Sequence, residues 1–215
     1  MSETKSTIVV SGYGRCGTSM VMQMLSAGGI ECIGPFPAFE VDEVKHAVSE
    51  SFIRLAAGRA VKVLDPHRVG LPGDVRVIWL GRNHEQQAMS QAKFIALMFG
   101  RVPNRTDRRA MVRNYVKDRL AVAKTLRGRP VLGLSFEEII GNPLLAAAKM
   151  RQFLEPVASL DATKAASAVI PRSHRCMPGL EIELALIKRS ARSPFATWSG
   201  PGPAVVGAAT NGSQA

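Results

Sequence analysis

The sequence predicts an α/β protein, a three-layer sandwich in which a central parallel sheet carries helices on both faces. Three observations predict it. Four short, β-branched apolar runs alternate with segments of helical periodicity. The first run feeds a glycine-punctuated loop that opens directly into a helix. The chain, 215 residues with 46% hydrophobic and 21% charged residues, is long and apolar enough to bury a core of that kind.

The elements follow in order. Residues 7–11 (TIVVS), 60–64 (AVKVL), 75–81 (VRVIWLG) and 130–136 (PVLGLSF) read as buried strands, because each is short, rich in Val, Ile and Leu, and bounded by polar or turn-forming residues. Residues 18–27, 40–57, 84–99, 107–126 and 143–154 read as helices. Asp107 and Asn142 are expected N-caps, the second followed by Pro143 at the first helical position. Beyond residue 154 the pattern thins to a short helix over 162–168, a loop over 170–179 (IPRSHRCMPG) and a last helix over 181–189. Residues 199–215 carry no charge and are rich in Gly, Pro and Ala. The expected organisation is one domain over 1–198 with a flexible tail over 199–215.

The first loop, SGYGRCGTS, carries chemistry. Gly12, Gly14 and Gly17 let the backbone turn tightly, so that successive N–H groups can converge on one anion, and the next helix offers its positive end to the same point. Gly12 and Gly17 keep the spacing of the nucleotide-hydrolase loop G-x-x-x-x-G-K-[ST], but Thr18 stands where the lysine belongs and Arg15 is the only cation within the loop. An oxyanion is expected there, without the ATP and Mg²⁺ arrangement. Thr18 and Ser19 offer hydroxyl donors at the helix start, and Cys16 reads as a small buried residue, since no base adjoins it in sequence.

In open parallel sheets, ligands gather at the carboxyl ends of the strands. That rule selects residues 12–19, 65–68, 82–84 and 136–138, and three of the four segments carry a cation. The net charge of +11 points the same way, to an anionic ligand. Three widely separated cysteines imply neither a disulfide framework nor a zinc site, the first residues (MSETKST) are polar, and no apolar run is long enough to span a membrane. A cytoplasmic protein that does not partner a membrane is expected.

The loop, together with VIWLGRNHEQQAMSQAKF, resembles the sulfotransferases that use 3′-phosphoadenosine 5′-phosphosulfate (PAPS). In that second segment Arg82 ends a strand and Ser90 follows eight residues later. AVKVLDPHRVGLPGDVRVIWLGRN and VLGLSFEEIIGNPLLAAAKMRQFL are similar to further segments of the family, so the likeness runs from about residue 7 to 154, then loosely through 170–175. It implies a P-loop NTPase-like sulfotransferase fold, PAPS as donor, 3′,5′-bisphosphoadenosine (PAP) as product and no metal. It also implies that Gly12, Gly14, Arg15, Cys16, Gly17, Thr18 and Ser19 hold the 5′-phosphosulfate, and that Arg82 and Ser90 hold the 3′-phosphate. The physics agrees: a donor with a second phosphate on its ribose needs two separate anion sites at neighbouring strand ends, and sulfuryl transfer needs no metal bridging a β- and a γ-phosphate.

The resemblance also names candidates for the proton acceptor. Glu40 matches a glutamate that follows an aromatic in related bacterial and carbohydrate-type enzymes. His67, near Asp65, follows the second strand, where cytosolic relatives carry K-x-H; Lys62 fits that lysine, but Leu64 stands at the histidine. Glu40 is the first choice and His67 the second. Arg172, His174 and Arg175 resemble a late basic loop that closes over the cofactor. The cations of residues 101–129, among them Arg105, Arg108, Arg109 and Arg113, suit a solvated helix face or an acidic acceptor, and sparse aromatics argue against nucleic acid. The expected acceptor is a small molecule or glycan offering a hydroxyl or amine. The rival readings are a P-loop small-molecule kinase, which would want the missing lysine, and a non-catalytic anion- or nucleic-acid-binding module.

Overall fold

A computed structural model describes residues 6–173 of the chain. Four strands form one parallel sheet: β1 (Thr7–Gly12), β2 (Ala60–Leu64), β3 (Val75–Gly81) and β4 (Val131–Ser135), in the order β2-β1-β3-β4. The helices are α1 (Thr18–Ala27), α2 (Glu50–Leu55), α3 (Pro66–Val69), α4 (His84–Phe99), α5 (Arg105–Leu126), α6 (Phe136–Gly141), α7 (Pro143–Leu154) and α8 (Ala162–Ser167).

Alternation along the strands makes two cores. Ile8, Val10, Ile78 and Leu80 pack with Met22 and Leu25 of α1, Met150 and Leu154 of α7 and Ala165 of α8. The residues between them, Val9, Val61, Val63, Val75 and Val77, face the other way and pack with Ile53 of α2, Leu71 and Leu126 of α5. Apolar side chains on both faces explain why the strands read as unbroken apolar runs. This is the three-layer α/β sandwich with a parallel sheet that the sequence predicts.

β1 pairs with β2 on one side and β3 on the other, so the chain reverses direction across the sheet at β1. At such a reversal the loops leaving adjacent strands diverge and open a crevice at the carboxyl ends. The loop after β1 and the turn after β3 both lie there.

Two expectations are corrected. Residues 40–57 do not form one helix. Phe39 adopts a left-handed φ of 52°, residues Asp42–Val44 make a single 3₁₀ turn, and Ser49 accepts a hydrogen bond from the Phe52 N–H at 3.1 Å, so that α2 starts only at Glu50. Val44 and Val48 are buried in the second core, and the Val48 N–H donates to the Val69 carbonyl at 3.0 Å. Their spacing suits a helix, but tertiary contacts hold them in a turn. The N-cap of α5 is Asn104 rather than Asp107, which sits three residues in and closes a capping box. Asn142 caps α7, with Pro143 at its first turn, as expected. The fourth strand ends one residue early, because Ser135 and Glu138 form a second capping box that starts α6 at Phe136. His174, Arg175, the helix expected over 181–189 and the tail over 199–215 lie outside the described residues.

Candidate anion-binding site

The loop after β1 is tightly built. A Cβ on Gly12 would overlap Cys16 Sγ and come within 2.7 Å of the Leu80 carbonyl oxygen of β3. Arg15 and Gly17 both take left-handed conformations, φ 68° and 103°. Alternation of this kind turns successive N–H groups toward one side and makes an anion cradle. A Cβ on Gly17 would lie 2.9 Å from the Phe136 ring, whereas one on Gly14 would meet nothing nearer than Gln91 Oε1 at 3.5 Å. Burial pushes the Cys16 thiol up to about 12, which keeps it protonated and a poor nucleophile.

Gln87 of α4 fastens the loop from the other side. Its buried amide donates to the Gly14 carbonyl at 2.8 Å and to the Tyr13 carbonyl at 3.4 Å. This residue is invisible to sequence reasoning, because a glutamine between Arg82 and Ser90 has no signature of its own.

Three cations and a serine meet beside the loop. Arg15 Nε donates to the buried Ser90 Oγ at 3.4 Å, and the Arg15 guanidinium lies 5.1 Å from the centre of the Phe94 ring. Phe94 is one helical turn beyond Ser90, a spacing that could have flagged it. Arg82 Nη1 donates to the Arg15 carbonyl at 3.0 Å. Arg82 and Arg172 stand over the same Phe136 ring, 4.2 and 5.5 Å from its centre. Partial burial, and then the charge of Arg82, lower the Arg172 pKa. Like charges gathered in this way suit an anionic ligand, which would relieve their repulsion.

Glu40 and His67 lie on opposite sides of the sheet. Lys62, in the middle of β2, has a side chain only 3% exposed. Its ammonium donates to Ser19 Oγ at 3.2 Å, the Ala38 carbonyl at 2.6 Å and Glu40 Oε1 at 3.1 Å. Three donors meet three acceptors, which is how a buried lysine is tolerated; burial nonetheless lowers its pKa, against the pull of Glu40. Glu40 is thereby tied to the first turn of α1.

His67 lies instead with the ring of Tyr13, 6.2 Å between centres, in a cluster where Tyr13 also stacks on Tyr115 and meets Trp79 edge-on. Its Nε2 is 3.3 Å from Asp118 Oδ2 of α5, and its buried Nδ1 has no partner among the described residues. Asp118 also accepts from Arg68 Nη2 at 2.9 Å, which holds its carboxyl below the ordinary range.

Asp65 sits at the junction. It is left-handed, φ 49°, and its N–H donates to the Gly12 carbonyl at 3.2 Å. Burial raises its carboxyl pKa, partly offset by Arg68 and His67. A carboxyl raised on folding favours the native state below its unfolded value and loses that contribution as pH rises through the folded value. Asp65→Asn is therefore expected to raise the melting temperature at neutral pH, where the charged carboxylate costs the folded state, and to leave it unchanged below the ordinary value of 3.8. Asparagine also tolerates the left-handed backbone. Melting curves at both pH values check this; equal shifts at both would assign the effect to the backbone alone.

Among the described residues no group of three or more His, Cys, Asp or Glu side chains could hold a metal ion, and no helix is long and apolar enough to cross a membrane.

No protein-family model matches the chain, and no curated protein matches it by sequence. Solved structures do. Mouse sulfotransferase SULT7A1 complexed with PAP matches over 76% of this chain and 62% of its own, at TM-score 0.53 and 16% identity. Retinol dehydratase, in complex with androsterone and the inactive cofactor PAP, matches over 75% of this chain and 62% of its own, at TM-score 0.51 and 15% identity. A sulfotransferase from Alicyclobacillus acidocaldarius matches over 86% of this chain and 92% of its own, at TM-score 0.51 and 14% identity. The chain thus spans about three-fifths of the length of the first two, 62% in each case, and nearly all of the bacterial one. It has the sulfotransferase fold, a P-loop NTPase-like α/β sandwich.

Proposed function

We propose that the protein is a sulfotransferase that moves the sulfuryl group of PAPS to a hydroxyl or amine and releases PAP. The observation that carries this reading is the coupling of Arg15, Ser90 and Arg82. One guanidinium stands on the phosphate loop and contacts Ser90, and a second, from the neighbouring strand end, holds the first residue's carbonyl at 3.0 Å. A ligand with one anion on its 5′ side and another on its ribose needs two cationic sites in a fixed relation, and this contact fixes it.

The donor supplies an activated sulfuryl group on a good leaving phosphate. Loop N–H groups, the Thr18 and Ser19 hydroxyls and Arg15 hold the 5′ end, and Arg15 meets the charge that grows on the leaving oxygen. Arg82 and Ser90 hold the 3′-phosphate, and Arg172 covers the nucleotide. Glu40 takes the acceptor's proton. Its tether through Lys62 to Ser19 keeps the carboxylate beside the loop helix and supports this choice over His67. The acceptor is a small molecule or a glycan; androsterone bound to retinol dehydratase shows one small molecule on the same fold.

PAP is expected to bind in a calorimeter at least tenfold more tightly than AMP, with no metal added. Arg82→Ala should remove most of that difference, since a charged hydrogen-bonded contact contributes about 1.5–3 kcal/mol. Equal affinities for PAP and AMP would overturn the two-anion reading. For the proton acceptor, Glu40→Gln is expected to lower kcat about 10²–10⁴-fold, while His67→Asn leaves it close to the parent's. The reverse pattern would move the role to the His67–Asp118 pair.

A further inference from the structure

The end of the α4–α5 hairpin carries a feature that the site does not use. The last turn of α4 and the short connection after it expose Leu97 (41%), Met98 (44%), Phe99 (66%) and Val102 (81%). Gly100 closes α4 in a left-handed cap, Pro103 is buried, and Asn104 and Asp107 lock the start of α5 in a capping box, so the apolar side chains stand on a well-fixed tip. Four large apolar residues exposed within six positions are more than scattered surface exposure produces.

Cations follow them directly in the chain. Arg105, Arg108 and Arg109 are exposed on the first turns of α5, and among the described residues none of the three has an ion-pair partner. The one carboxylate nearby, Asp107, is taken by the cap and by Arg101 at 3.3 Å. Three like charges close to the positive end of a helix repel one another and gain nothing from the helix dipole. Folding does not ask for them there.

We propose that the α4–α5 tip is a peripheral docking surface for an anionic lipid membrane. The same end of the hairpin presents exposed apolar side chains and exposed arginines together, the pairing that an anionic bilayer takes up through its acyl boundary and its headgroups. A second copy of the chain would bring like-charged arginines face to face, which disfavours that occupant. Nucleic acid would call for stacking aromatics among the arginines, and Phe99 is the sole aromatic in residues 95–114. The absence of a long apolar run bears on spanning a membrane and not on docking to one. Phe94, beside Arg15, is five residues from Phe99. Five residues are about 7.5 Å along a helix, so a docked protein would bring the site close to lipid-borne hydroxyls. Only that last consequence rests on the sulfotransferase reading; docking itself needs no donor.

The test is co-sedimentation of the full chain with phosphatidylcholine vesicles, with and without phosphatidylserine. Binding is expected to the phosphatidylserine vesicles and at least tenfold more weakly to the neutral ones. Replacing Phe99 and Val102 together by serine should weaken it at least tenfold without changing charge. Replacing Arg105, Arg108 and Arg109 by glutamine should weaken it on the order of a hundredfold, about fivefold per charge. Both variants should melt like the parent and bind PAP unchanged, which separates this proposal from the fate of the nucleotide site. No preference for phosphatidylserine vesicles would overturn it. So would binding indifferent to Phe99 and Val102, the mark of a generally basic protein, or tighter binding to duplex DNA than to vesicles at equal salt.

Discussion

Arg15→Ala is expected to lower turnover about 10²–10³-fold, the usual cost of deleting one donor aimed at charge that develops in the transition state. The effect should fall on kcat far more than on PAP affinity. The Arg15 carbonyl, which Arg82 holds at 3.0 Å, belongs to the backbone and survives the change, so the contacts proposed for the 3′-phosphate keep their frame. What disappears is a guanidinium placed between Ser90 at 3.4 Å and the Phe94 ring at 5.1 Å, and thereby aimed rather than free to roam. Sulfuryl-transfer kinetics together with PAP calorimetry separate the two quantities. A variant that loses PAP affinity but keeps kcat would make Arg15 a ground-state binding residue.

Gly12→Ala is expected to cost about 1–3 kcal/mol of stability, as overpacking does, and to remove nucleotide binding with it. The new methyl would overlap Cys16 Sγ and lie 2.7 Å from the Leu80 carbonyl oxygen. The sulfur can turn away, but the carbonyl is part of β3 and moves only if β1 and β3 separate. In a chain of this size the loss is a fall in melting temperature of about 2–12 °C. Gly14→Ala is the control: its methyl would meet a single flexible amide oxygen at 3.5 Å, and it should melt close to the parent. Equal melting of Gly12→Ala and the parent would show that the contact with Leu80 yields.

The two glycines show what sequence reading can and cannot separate. Their roles look alike in SGYGRCGTS, and both were expected to shape the cradle. β3, which arrives from more than sixty residues away, adds to the Cys16 sulfur a backbone oxygen that cannot turn aside, and so makes one position crowded while the other stays open. The same holds for Lys62. From sequence it matches only the lysine of a K-x-H pattern in an apolar strand, and it takes the fold to close Ser19, Ala38 and Glu40 around its ammonium. Residues 40–57 show the converse failure: Val44 and Val48 have helical spacing, but long-range contacts and the Ser49 cap decide the backbone.

By itself the sequence determined the strands to within a residue at their ends, the loop and the helix that follows it, and the parallel sheet between two helical layers. These rest on signals with short periods: β-branched runs, the 3.6-residue repeat, glycine spacing and capping residues. The tertiary structure alone decided that Arg15 leans on Ser90 and Phe94, that Gln87 fastens the loop, and that Glu40 and His67 stand on opposite sides of the sheet. Those contacts join residues far apart in the chain, and they follow from the strand order β2-β1-β3-β4. Strand order is set by the best joint burial of all the elements, which no local stretch of sequence encodes.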